Sequence, residues 1–495
     1  MDDLAESVAG GGGRASRCPV ESVERPVVRS GRGPVSRRSF DRSIVEGPIG
    51  PAVWKLAWPT MLQNVIGGLQ GLVDHMMVGH YVGYTGNAAI GVSWQIFLVV
   101  QVFIGSLFTG MGVLVARFAG ANEPEKVNRS VYQAFLTALV VAVGVLAPTG
   151  YLLAPTLLAL VNATPAVSAE ALPYIRTMFV FNFGMMVFFM LGGALRSAGD
   201  ARTPLRLGIW LTVLNVTLSA ILIRGLGPIP SFGTLGAAMG TVMSGAILAI
   251  VAAVKLFGGT WVIHIHRGMN WRPDFRVIRQ LFRFGLPAGL QGVAMNIGGV
   301  ILLRFVGSLA SSAEAQAAYS VGYTQLFSLV TWTSVGLMGA TAAVAGQNLG
   351  AGKPERTVQG VHAASKISVA VAGGVGVVFL LLPGLLLGVF GMDDPVVTAL
   401  GVQLLAFLSV SGVFVAVALA YTGGLQGTGD TRGPLYISLI SQLGLPLALC
   451  WIFQETVGLQ AYHIWLAILT GHMTRCLLSI VRFRQGAWRR IEVRI

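Results

Sequence analysis

Residues 54–83 read WKLAWPTMLQNVIGGLQGLVDHMMVGHYVG, and this stretch decides the fold. It is long enough to cross a bilayer, which takes about 20 predominantly apolar residues. A proline, Pro59, stands early in it and a carboxylate, Asp74, stands late. At about 100° per residue, Gln63, Gly67, Gln70 and Asp74 fall in one narrow stripe. A stripe of amides ending in an acid is too costly to face lipid, so it faces a water-filled cavity or a partner helix. Of the 20 Asp and Glu residues in the chain, Asp74 alone lies well inside a hydrophobic segment. The others fall in the N-terminal tail, in loops or at segment ends.

The composition agrees with a membrane origin. The 495 residues are 54% hydrophobic and 11% charged, against about 25% charged in average soluble domains. Segments of 20 or more apolar residues point to an all-α polytopic membrane protein and exclude a β-barrel, whose strands are about ten residues long. The 65 glycines suit close helix packing in lipid. The net charge of +14 does not imply nucleic acid. Its Lys and Arg residues lie in short loops between apolar spans, where charge sets topology. Cys18, Cys450 and Cys476 have no spacing that suggests a metal site or a disulfide framework.

Residues 1–48 are rich in Gly, Ser, Arg and Pro and read as a disordered cytoplasmic tail. Twelve hydrophobic segments follow, over approximately 53–81, 88–116, 131–153, 171–196, 204–224, 235–257, 283–308, 316–346, 363–390, 396–424, 434–453 and 461–481. The loops after even-numbered segments hold the basic residues, among them Arg117, Lys126, Arg202, Arg272, Lys353 and Arg432; the odd loops hold only Arg176 and Arg224, near helix ends. By the positive-inside rule both termini are cytoplasmic, in a multi-pass protein of the cell membrane. The expected organisation is an N-terminal lobe over 49–258, a linker over 259–282, a C-terminal lobe over 283–482 and a basic tail over 483–495.

The chain repeats itself. Gly120-Ala121-Asn122-Glu123-Pro124-Glu125-Lys126 returns 230 residues later as Gly350-Ala351-Gly352-Lys353-Pro354-Glu355-Arg356. Gly199-Asp200-Ala201-Arg202-Thr203-Pro204 returns at the same offset as Gly429-Asp430-Thr431-Arg432-Gly433-Pro434. Pro165 and Pro395 keep that offset, each opening a helix behind a capping Thr164 or Asp394. Pro59, Gln63 and Gly79 match Pro287, Gln291 and Gly307 at 228. Six spans separate the copies, so the repeat is parallel, and parallel-repeat transporters bind substrate between their halves.

These loops, the twelve segments and the Pro59…Asp74…Gly79 helix together resemble the multidrug and toxic compound extrusion (MATE) antiporters over about residues 50–480. The resemblance implies two six-helix lobes around a central cleft. It implies export of cationic or amphipathic compounds driven by inward proton or sodium flow, with no enzymatic activity and no cofactor or metal beyond the coupling ion. Its partners would be those small molecules and the lipid bilayer, without nucleic acid, and the protein a monomer. Asp74 matches the first-helix acid that members use for ion coupling, and Pro59 the proline at which that helix bends in some prokaryotic members. Asn215 matches an asparagine of the fifth helix. Ser219 stands where members often carry an aspartate, and Leu302 occupies the repeat position of Asp74. The N-terminal half is therefore similar to the DinF-like branch, with one acid missing.

Burial disfavours the charged form of a lone acid, which makes Asp74 a candidate to exchange a proton for a cation. The bland alternative is an acid neutralised by a permanent partner such as His75 or Arg304. His75 lies about 100° from Asp74 round the helix and reads as a packing or interfacial residue. Arg304 reads as the one base well within a span, snorkelling to the interface. Gln63, Gln70, Asn182, Asn215, Ser219, Thr241 and Gln291 are the polar candidates for the cavity. In segment 4, Met178, Phe181, Met185 and Phe189 could offer thioethers and aromatic faces to flat cations, though ordinary packing explains the same stripe. Pro59 is either a hinge or a static kink. The rival readings are a lipid-linked oligosaccharide flippase, which would need several cleft arginines, and an intramembrane transferase, which would need paired acids within a span. An ATP-driven pump is disfavoured by the absence of a Gly-x-x-x-x-Gly-Lys-Ser/Thr loop.

Overall fold

The computed structural model describes residues 40–495 except 162, 267, 393 and 494, without the side chains of 98–101 and 103. The expected tail falls mostly on residues 1–39, outside the described residues. We label the long helices α1 (Ile49–Tyr81), α2 (Tyr84–Gly120), α3 (Pro124–Leu160), α4 (Pro165–Phe181 continued by Phe183–Ser197), α5 (Arg202–Arg224) and α6 (Thr234–Phe257). The second half holds α7 (Phe275–Gly307), α8 (Ser312–Gly350), α9 (Pro354–Leu381), α10 (Pro395–Thr428), α11 (Arg432–Thr456) and α12 (Ala461–Arg484). Nine of them, α3 and α5 to α12, are long and apolar enough to cross a membrane, and the two pieces of α4, bent by 52°, make a tenth. The chain is thus an all-helical, multi-pass membrane protein. Within α1 the stripe of Gln63, Gln70 and Asp74 lowers the hydropathy.

The repeat is visible in local geometry. Asn122 and Gly352, one offset apart, both take positive φ, at 59° and 72°. Asparagine and glycine are the residues that tolerate this left-handed turn. Gly199 and Gly429 likewise have φ of 103° and 102°. The aspartate after each then caps the next helix: Asp200 accepts from the Thr203 amide at 3.0 Å and Asp430 from the Gly433 amide at 3.0 Å. Asp394 caps α10 through the amides of Val396 and Val397 as expected, and Thr164 caps α4 through Val167 at 3.4 Å.

Three boundaries differ from the sequence reading. Residues 40–48, assigned to the disordered tail, are packed: Ser43–Glu46 form a helical turn with Ile44 and Val45 buried. Arg356 donates to the Gly47 carbonyl at 2.7 Å and Asn348 to that of Ile44 at 3.3 Å, so backbone capture holds a segment with little apolar content. Second, α7 begins at Phe275, inside the expected linker, because Asp274 caps it and its first turns are amphipathic rather than apolar. Third, the basic tail is anchored by buried Trp488, stacked on Phe483 at 5.0 Å.

Helices α1 to α6 pack among themselves, as do α7 to α12, and the halves meet through α1 against α8, α2 against α7 and α2 against α8. Each of α1 and α7 packs on the second helix of the opposite half. Glycine allows these crossings. A Cβ at Gly120 would lie 1.9 Å from the Gln347 carbonyl oxygen, and one at Gly350 would lie 2.0 Å from that of Arg117. These two contacts exchange under the 230-residue offset, so the interface is isologous, like that of a two-fold dimer. Gly110 approaches Leu281 and Gly285 approaches Ser106 just as closely, at 2.0 and 2.1 Å. All these sites lie toward the ends that carry the basic loops. The furthest along α1 is Gly68 against the Trp332 indole; beyond it, toward Tyr81 and Gly307, no described glycine of one half comes within 4 Å of the other half.

The halves are therefore clamped at one end only. Gly285→Val should lower the unfolding temperature in detergent by several degrees, since overpacking a tight contact costs about 1–3 kcal/mol. Gly373→Val, where a Cβ would meet nothing within 4 Å, should not. Equal melting curves for the two variants would count against this clamp.

Candidate functional site

Inside the N-terminal half lies a cavity of about 380 Å³. One wall is the predicted stripe of α1: Gln63, Gly67, Gln70, Gly71 and Asp74. The opposite wall is α4, which contributes Tyr174, Met178, Asn182, Met185 and Phe189 at helical spacing. Ile90, Trp94 and Phe97 of α2 and Thr212 of α5 complete the ring, and Trp332 of α8 reaches in from the other half. The site is thus aromatic and apolar with a few polar groups, the usual make-up of a small-molecule pocket.

Asp74 is half-buried, its Oδ1 is covered and without a hydrogen-bond partner, and it forms no ion pair among the described residues. Its neighbours explain why. His75 is occupied elsewhere, with Nδ1 2.5 Å from the Asn87 Oδ1 of α2. Arg304 is exposed on α7 and does not line the cavity. The permanent partner considered from sequence is therefore absent among the described residues. Tyr174, which the sequence reading overlooks, lies within Coulomb range of Asp74. Its position is legible in retrospect, because 174, 178, 182, 185 and 189 follow one helical face.

The other polar candidates separate. Gln70 accepts from Thr212 at 2.9 Å, and Thr241 accepts from Asn215 Nδ2 at 3.0 Å, so two lining groups are held by α5. Asn182 sits at the break in α4, lines the cavity and leaves Oδ1 unpaired. Asn215 stands behind the wall, buried, with its Oδ1 also unpaired. Ser219 does not line the cavity. It is sealed between α5 and α6, where a Cβ on Gly240 would lie 2.3 Å from its hydroxyl oxygen. Gln291 is in the other half, donating to Ser438 at 2.8 Å and accepting from Gln426 at 3.2 Å, so it belongs to a separate buried network. Of the four Met and Phe candidates, Met178, Met185 and Phe189 line the cavity. Phe181 does not, and is 62% exposed.

Pro59 lies in a helix that continues from Ile49 to Tyr81 without interruption. Val53, Leu56, Ala57 and Met61 around it pack on Leu337, Ala340 and Val344 of α8, whereas the part from Gln63 onward forms the cavity wall. The proline thus marks where α1 passes from the opposite half to its own lobe.

The bases hold a further correction. Arg304 is not the only base within a span, for Arg475 of α12 is 3% exposed. Arg196, at the end of α4, lines a second, smaller cavity between the halves, with its guanidinium 5.9 Å from the Phe108 ring.

Comparison with known proteins agrees with this architecture. The MatE family profile matches residues 59–221 and again 287–452, one match in each half. The probable multidrug resistance protein NorM of Thermotoga maritima is 25% identical over 443 residues, covering 89% of this chain and 93% of that protein. The multidrug resistance protein MdtK of Pectobacterium atrosepticum is 25% identical over 437 residues, covering 87% and 94%. Among solved structures, the outward-facing conformation of a multidrug resistance MATE family transporter of the MOP superfamily superposes with a TM-score of 0.84 at 21% identity, over 92% of this chain and all of that one.

If this cavity takes up flat apolar cations, Trp94→Ala or Met185→Ala should weaken the binding of a rhodamine dye several-fold, and Phe181→Ala should leave it unchanged. Fluorescence anisotropy of the purified protein measures this. An equal loss for Phe181→Ala would move the site elsewhere.

Proposed function

The chain belongs to the MatE family of multidrug and toxic compound extrusion transporters, and from that premise we propose that it is an ion-coupled antiporter exporting cationic or amphipathic compounds by alternating access. The observation that carries the proposal is the unpaired Asp74 carboxylate in the wall of an aromatic cavity large enough for a drug-sized molecule. A cation entering the cavity gains the carboxylate and the aromatic faces of Trp94, Phe97 and Phe189. A proton arriving at the same carboxylate removes the charge that holds the cation. The two ligands thus compete for one group, which is the minimum requirement for exchange.

All twelve labelled helices cross the membrane in this reading, and the basic loops place both termini in the cytoplasm. The glycine-tight contacts then close the cytoplasmic end, and the cavity opens outward. A proton is the better coupling ion. Asp74 is the one carboxylate lining the cavity, and a dehydrated sodium ion needs several oxygens, of which Gln70 and Thr241 are already engaged. His75 and Tyr174 are the other titratable groups on the wall. A flippase for anionic lipids would instead want several arginines in its cleft; the cavity between the halves has one, Arg196, and the Asp74 cavity has neither arginine nor lysine.

The energy available is modest: about 1.4 kcal/mol per pH unit and about 2.3 kcal/mol per 100 mV for each proton. That suffices only between states within a few kcal/mol of each other. The position of Pro59 suits such a small bias, since it frees a backbone carbonyl where α1 leaves α8 for the cavity wall.

In proteoliposomes, a gradient acidic on the outer side should drive uphill dye transport, and Asp74→Asn should abolish it while leaving dye binding measurable. Pro59→Ala should slow transport and flatten the pH dependence of dye affinity without moving Asp74. Uphill transport by Asp74→Asn at the normal rate, or transport that follows a sodium gradient at constant pH and ignores a pH gradient, would overturn the proton-coupled reading.

A further inference from the structure

The C-terminal half contains a repeat image of the N-terminal cavity. A small pocket is lined by Gly298, Gly299 and Leu302 of α7, Tyr319 and Tyr323 of α8, Gln442 and Leu447 of α11, and Ile468 and His472 of α12. Leu302 is the repeat partner of Asp74, 228 residues on. Tyr319 and Tyr323 follow Ile90 and Trp94 by 229, and Gln442 follows Thr212 by 230. Faces of α7, α8, α11 and α12 that correspond to α1, α2, α5 and α6 therefore line this pocket, without a counterpart of the α4 wall, and the carboxylate is gone.

Its fixed charge has the opposite sign. Arg475 lies one turn after His472 on α12, 3% exposed, with Nε unpaired and in Coulomb range of both His472 and Tyr323. It forms no ion pair among the described residues. A guanidinium cannot shed its proton to escape burial. Nor does it reach the interface, since Arg475 is about 13 Å along the helix from its Arg484 end. The described acids in this half, Asp274, Glu314, Glu355, Asp394, Asp430, Glu455 and Glu492, all lie in loops or at helix ends, and Asp430 is taken by Arg482. A buried cation without a counter-charge is unfavourable unless something supplies one.

The groups beside it are donors. His472 is 4% exposed, faces the pocket, and neither ring nitrogen has a partner. Tyr319 and Tyr323 stack at 5.0 Å, and Trp465, whose Nε1 is buried and unpaired, stacks on Tyr319 at 6.2 Å. Two of the contributing segments, Ser320–Leu326 and Leu439–Gly444, are π-helical turns, which turn Tyr323 and Gln442 out of ordinary helical register. Such turns cost backbone energy and recur at functional sites. The matching stretches of α2 and α5 have none.

We propose that this pocket is a binding site for a monovalent anion, either chloride or the carboxylate head of a small amphipathic compound, with Arg475 as the counter-charge and Tyr323 and His472 as donors. The site is separate from the Asp74 cavity and independent of how that cavity is used. Its test is equilibrium dialysis of the purified full-length protein against radiolabelled chloride and, separately, radiolabelled benzoate, in a gluconate background. Saturable binding of at least one of them is expected; benzoate binding identifies an organic carboxylate, and binding of chloride alone identifies the inorganic ion. Arg475→Gln should weaken it about tenfold or more and Tyr323→Phe about threefold, as losing a charged and a neutral hydrogen-bonding partner would. Leu302→Asp, which supplies an internal counter-ion, should compete with the anion and also weaken it. If Arg475→Gln does not fold, Tyr323→Phe and Leu302→Asp decide. No saturable binding of either anion by the unmodified protein, or affinities unchanged in these variants, would overturn the proposal.

Discussion

Four helices approach one another at backbone distance, and the rest of the molecule depends on that crossing. In lipid there is little hydrophobic drive between helices, so association relies on close van der Waals contact, which small residues permit. Gly120 against Gln347 and Gly350 against Arg117 are the same contact made twice. Because the two are symmetric, neither half is favoured in this contact. Because they cluster at one end of the helices, both pockets remain on the open side of the clamp. The buried N-terminal turn around Ile44 and the C-terminal Trp488 lie toward that same end, each bonded to helices of the bundle.

Much of this was legible in the sequence, for physical reasons that differ from part to part. The helices follow from hydropathy and the halves from motifs at a constant offset, because a turn that needs positive φ restricts its residues to Gly or Asn in both copies. The α1 stripe was legible because a single acid among amides has few affordable places in a membrane. What failed was the reading of direction. Phe181 belongs by spacing to the Met and Phe face of α4, yet it stands at the end of the first piece of that helix, just before the 52° bend, and does not line the cavity. Ser219 stands at a position where acids occur in similar proteins, yet here the close approach of Gly240 seals it. Gln291 matches Gln63 by repeat and not by role, since its partners Ser438 and Gln426 absorb its amide.

Arg475 was missed for a different reason. It sits in a segment whose end is crowded with arginines, so by sequence it merges with the topogenic cluster at Arg482 and Arg484. Only burial separates it from them. Arg482 bonds Asp430 at 2.8 Å at the helix end, whereas Arg475, two turns deeper, meets aromatic rings and a neutral-capable histidine.

The two pockets have related shapes and opposite fixed charges, and that difference constrains what each can do. A carboxylate can be neutralised by a proton, so the charge of the first pocket changes with its ligand even when the cavity is otherwise empty. A guanidinium stays protonated in proteins, so the charge of the second pocket changes only when an ion enters or leaves. On the proposed readings, energy from a proton gradient acts directly on α1 through Asp74, and on α12 only by way of a bound anion. Pro59 lies between the contact of α1 with α8 and its exposure to the first pocket. The corresponding proline of α7, Pro287, lies beside the glycine-tight contact with α2 at Gly285 and Gly289. On the proton-coupled reading, a change in charge at Asp74 acts on the part of α1 that lines the cavity, while the part before Pro59 is packed on α8.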